Sequence, residues 1–83
     1  MVLLDCEFND EFGGILAKFL INDNIYWIGQ QLDRTDDNVF RITPDCWELF
    51  NGKTASTVEK SISQELFDKA IRLAADELNI SIL

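Results

Sequence analysis

Three apolar segments separated by short turn-forming stretches open the chain, and they constrain the fold more than any other feature. Over residues 2–8, Val2, Leu4, Cys6 and Phe8 are apolar at every second position while Asp5 and Glu7 are charged, the period of a half-buried strand. Residues 9–14, Asn-Asp-Glu-Phe-Gly-Gly, are turn material. Residues 15–21 read as a second strand, Asn22-Asp23-Asn24 as a three-residue loop, and residues 25–32 as a third strand. An N-terminal antiparallel meander follows.

Antiparallel partners share a face, so the loop lengths predict which side chains meet. The three-residue loop sets Ile21 against Ile25, Phe19 against Trp27 and Ala17 against Gly29. The longer first loop sets Phe8 against Ile15, Cys6 against Ala17 and Leu4 against Phe19. Asp5 then falls opposite Lys18 on the other face, an opposite-charge pair.

Residues 33–38 form a polar, acidic connection and residues 39–42 a short fourth strand. Thr43-Pro44-Asp45 has the order of an N-cap, a proline at the first helical position and an acid in the first turn, with Gly52 where a helix would stop. A short helix over 44–50 is expected. Residues 53–62 allow either loop or edge strand.

The longest regular element is a helix over 64–78, capped by Ser63, with Ile62 and Phe67 spaced for a hydrophobic staple. Leu66, Phe67, Ala70, Ile71, Ala74 and Leu78 make one stripe, and Glu65–Lys69 and Asp68–Arg72 are i,i+4 pairs. Residues 80–83 alternate again and return to the sheet as a terminal strand. The expected fold is therefore one compact α+β domain over residues 1–83. An antiparallel sheet of three to five strands is packed on one face by a C-terminal amphipathic helix, with one further short helix. Phe19, Trp27, Ile71 and Ala74 are expected to meet between sheet and helix.

Fifteen acids against seven bases give a net charge of −8, which repels a phosphate backbone and argues against direct nucleic-acid binding. Residues 1–50 carry ten of the acids and only Lys18, Arg34 and Arg41 as bases, a net of −7. The opening Met-Val-Leu-Leu-Asp has neither the basic nor the long apolar region of a signal peptide, and no stretch is apolar enough to cross a membrane. Cys6 and Cys46 fit no disulfide framework. A cytoplasmic protein without a cofactor is the expectation.

Chemistry is sparse. There is no histidine, which removes the commonest general base and metal ligand. Cys46, near the start of the expected short helix, is the one thiol with a reason to be reactive, although a free cysteine is more often simply core. Gly13-Gly14 lacks the basic residue and helix of a phosphate loop. Asp33, Thr35 and Asp37 alternate as in a calcium loop, but Asn38 stands where that loop needs glycine and Pro44 where it needs glutamate.

Two features point to binding instead. In a meander the first and third connections share an end, so Asp10, Glu11, Asp33, Asp36 and Asp37 are expected to converge there as an acidic rim offset only by Arg34. On the sheet face away from the helix, Leu3, Leu20 and Tyr26 are expected in one row beside Leu16 and Ile28, an apolar patch suited to an interface. The expected function is a small acidic protein-binding module, an inhibitor or regulator of a basic partner such as a nuclease, toxin or nucleic-acid-binding complex, and not an enzyme. In general character the chain resembles small acidic inhibitors of that kind, without sharing a motif with them. The alternatives are a homodimeric accessory domain, or an enzyme with an unrecognised carboxylate or Cys46 site.

Overall fold

The computed structural model describes residues 1–59 and 62–83, so Lys60 and Ser61, within the segment that the sequence leaves between loop and edge strand, lie outside the described residues. Its elements are β1 (Val2–Asn9), β2 (Gly14–Ile21), β3 (Asn24–Asp36), β4 (Val39–Asn51), α1 (Gln64–Glu77) and β5 (Ser81–Ile82). They form a small α+β domain in which a single five-stranded sheet runs in chain order. β1 to β4 are antiparallel, whereas β5 lies parallel to β4, Val39 beside Ser81 and Phe40 beside Ile82. The sheet is mixed, where the sequence predicts an antiparallel one.

The inner face of the sheet carries Ile15, Ala17, Phe19, Ile21, Ile28, Leu32, Phe40 and Leu49. Phe67, Ala70, Ile71, Ala74 and Ala75 of α1 close over it. Three of those five helical residues are alanines, which lets the helix backbone come close to the sheet while Phe67 stacks on Trp47 at 4.1 Å between ring centres. Phe8 of β1 and Phe40 of β4 also touch, with ring centres 5.0 Å apart. Three strand spacings would separate those strands by about 14 Å in a flat sheet, so the sheet curls strongly around its inner face.

The helix starts where its cap predicts: the Ser63 hydroxyl accepts the Leu66 amide at 3.1 Å. Of its two expected ion pairs, Glu65–Lys69 forms at 3.7 Å, while Asp68 accepts from the Gln64 side chain at 3.0 Å. Asn79 then takes φ 57° and turns the chain into β5. No helix among the described residues is long and apolar enough to cross a membrane.

Two sequence expectations are corrected by long-range pairing. The β2–β3 connection is a two-residue turn, Asn22 and Asp23 both at positive φ (49° and 66°), the conformation whose twist suits a tight hairpin. Asn24 therefore joins the ladder against Ile21, and Phe19 faces Tyr26 instead of Trp27. A one-residue slip reverses every side chain of a strand. Trp27 is consequently absent from the core, and Ile28, entirely buried, takes its place. In β1 an irregularity between Leu3 and Asp5 puts Leu3, not Leu4, opposite Phe19, and Leu4 remains 47% exposed.

The second correction concerns the expected helix over 44–50, which is strand. β4 continues from Val39 to Asn51, interrupted where Gln31 alone spans the gap between the pairs Gln30–Trp47 and Leu32–Ile42. Residues 43–46 bulge out there, with Asp45 at φ 58°. The buried Gln30 amide fills the bulge from inside, donating to the carbonyls of Gln31 (2.8 Å), Thr43 (3.1 Å) and Cys46 (3.3 Å). The capping signature of Thr43-Pro44-Asp45 is thus used by a bulge, and Trp47 and Leu49 reach the core by strand alternation. Beyond β4 the chain folds back, Val58 N–H bonding Leu49 O at 2.9 Å and Thr57 bridging Phe50.

Candidate functional site

Alternation along the observed register defines the outer face, opposite the helix. One row across it runs Asp5, Lys18, Trp27, Phe50 and the next Glu7, Leu16, Gly29, Glu48. Phe12, from the β1–β2 turn, folds over the second row: a β-carbon on Gly29 would lie 2.7 Å from the Phe12 ring and 3.1 Å from Leu16. Gly29 is thus the floor on which Phe12 rests. The Phe12 amide, held by the Asn9 side chain at 2.8 Å, fixes the turn that delivers the ring.

These residues enclose a shallow cavity of about 390 Å³ lined by Glu7, Phe12, Leu16, Trp27, Phe50 and Ala55. Each of the three aromatic residues is half-buried. The Lys18 ammonium lies over the Trp27 ring, 6.0 Å from its centre, but does not line the cavity. Glu7 accepts a long hydrogen bond from Asn9 at 3.4 Å.

The expected apolar patch is divided by the register. Leu16 and Leu20 do lie on the outer face, Leu20 at 36% exposure. Leu3 and Tyr26 instead pack half-buried against the core, and Ile28 is part of it. Their places outside are taken by Trp27, Phe50 and Phe12. The sequence signal for Trp27 was the Asn22-Asp23 pair, a two-residue turn whose parity turns it outward.

The five acids of the expected rim are all exposed, but they do not form one rim. Asp10 and Glu11 sit in the first turn, beside Leu32, whose amide bonds Gly13 O at 2.9 Å. The β3–β4 hairpin continues four residues past that point to Asp36, about 13 Å at the rise of a strand, and carries Asp37 at its tip. Asp33 lies between the two groups, and Arg41 stands opposite it in register, so Arg34 is not the only offsetting base. Arg34 instead lies over Phe40, 4.8 Å from its ring centre. Among the described residues no cluster of carboxylates or thiols could hold a metal ion.

Cys46 lies in the β4 bulge, so the helix N-terminus invoked for it does not exist. Cys6 is held above its ordinary pKa, first by burial and then by the negative charges of Glu77 and Asp5. No protein-family model, no curated protein and no solved structure matches this chain.

Proposed function

We propose that this domain is a protein-binding module, an inhibitor or regulator that docks a basic partner through the outer sheet face, rather than an enzyme. The observation that carries the reading is the aromatic cavity on that face. Trp27, Phe50 and Phe12 stand partly exposed there, and partly buried aromatic side chains are the groups that dominate protein interfaces. The surrounding charge supplies the partner's character. Asp5 and Glu7 flank the cavity on the β1 side and Glu48 on the β4 side, on a chain of net charge −8. Two copies meeting through this face would bring those carboxylates together, which favours a basic partner over a homodimer. Asp33, Asp36 and Asp37 on the projecting hairpin add long-range attraction. Cys6 and Cys46 are both free thiols, in keeping with a reducing, cytoplasmic setting.

The test is capture from host lysate at low and raised salt, followed by surface-based kinetics with the purified partner. Trp27→Ala should raise the dissociation rate tenfold or more, about 1.4 kcal/mol or above, the range of an interface anchor. Asp33, Asp36 and Asp37 changed together to Asn should slow association severalfold at low salt and leave dissociation nearly unchanged. A partner indifferent to both variants rejects the reading, and a salt-insensitive dimer lost in Leu20→Lys replaces it with the homodimeric one.

A further inference from the structure

Within the face just proposed for docking, and resting on that proposal, the geometry points to the chemistry of one contact: we infer that the cavity between Trp27, Phe50 and Phe12 receives an arginine side chain of the partner protein. Two properties of the cavity carry this. Its walls are aromatic, with Leu16 below, and the face of an aromatic ring attracts a cation. Glu7, however, also lines the cavity from the β1 edge, and among the described residues no cation pairs with its carboxylate. An aliphatic anchor would desolvate that carboxylate without replacing its water, a cost that works against affinity.

A guanidinium satisfies both properties at once. It is flat and weakly hydrated, stacks on aromatic rings, and offers paired N–H donors matched to a carboxylate. A lysine ammonium is a compact, strongly hydrated charge that forfeits more water on entering an aromatic slot. Lys18 does not pre-empt the site. It lies over Trp27 outside the cavity lining and opposite Asp5 in the ladder, so among the described residues the Glu7 carboxylate has no ion-pair partner. Phe12 seated on Gly29 gives the slot its third aromatic wall before any ligand arrives.

The experiment is a titration of the labelled domain with N-acetyl-arginine amide, followed by amide and indole N–H resonances, with the leucine and lysine analogues alongside. The arginine probe should give saturable shifts at Gly29 and the Trp27 indole, at least threefold tighter than either analogue. Glu7→Gln should weaken it about three- to fivefold, the range of an exposed ion pair, and raised salt should do the same. Trp27→Leu should abolish it, with resonance dispersion reporting that the variant is folded. Equal binding of the leucine analogue, or no saturable shift at this face, overturns the inference. If the arginine probe is silent while Trp27→Ala still loses the purified partner, the arginine assignment fails and the docking face stands. If the probe binds but the partner ignores Trp27→Ala, the cavity is not where the partner docks, and both fail.

Discussion

Phe12 lies directly over Gly29, and a β-carbon added at Gly29 would come within 2.7 Å of its ring. The contact joins a turn residue to the middle of β3, seventeen positions apart in the chain, and it shapes the cavity. Gly29→Ala should push Phe12 aside at about 1 kcal/mol, the lower end of overpacking costs. In a Phe12→Ala background the same change should cost only about a few tenths, because the ring it displaces is gone. A double-mutant cycle by urea denaturation measures both.

Phe19 and Trp27 should differ sharply in their contribution to stability. Phe19 is completely buried between sheet and helix, and Phe19→Ala should cost about 3–5 kcal/mol. Trp27 is only partly buried, on the other face, and Trp27→Ala should cost about 1–2 kcal/mol, the value of partial apolar burial. Comparable losses in chemical denaturation would restore the register with a three-residue loop, in which the two side chains are core partners.

Gln30 is a buried polar side chain whose amide serves the carbonyls of Gln31, Thr43 and Cys46. Gln30→Leu keeps comparable volume but strips the bulge of its donor. The expected loss is about 1–3 kcal/mol, the cost of leaving buried acceptors unpaired. Hydrogen exchange should show faster opening of the amides around residues 42–47 than of those in β2.

The pKa of Cys6 is raised in the folded domain by burial, with Glu77 and Asp5 adding to it. A raised folded pKa means that the native state holds its proton longer than the unfolded chain does. This contribution to stability is complete below the unfolded thiol pKa and is lost as pH rises through the folded value. Denaturation midpoints should therefore fall on the alkaline side, and the fall should be shallower in Cys6→Ser. Alkylation of Cys6 at mildly alkaline pH should be slower than that of a free thiol and should quicken in Glu77→Gln.

Much of the architecture was legible locally. Strand periodicity located β1, β2 and the start of β3 because alternate residues of a half-buried strand face water. Ser63 and the apolar stripe located α1 because capping and amphipathicity are properties of neighbouring residues. Charge, too, belongs to composition, and so does the absence of histidine. These are what the chain determines by itself.

The faces of the strands were decided elsewhere. Asn22, Asp23 and Asn24 all suit a turn, and the choice between two and three loop residues depends on which pairing satisfies the whole length of β2 and β3. That choice put Ile28 inside and Trp27 outside, and so replaced most of the expected patch. At Thr43-Pro44-Asp45 a sound helix-start signal yielded to the long partner strand β3 and to Gln30, which supplies the bulge with donors from thirteen or more residues away. Local residues propose a conformation, but a strand's hydrogen bonds lie on another strand, so only tertiary pairing could settle which way these side chains point.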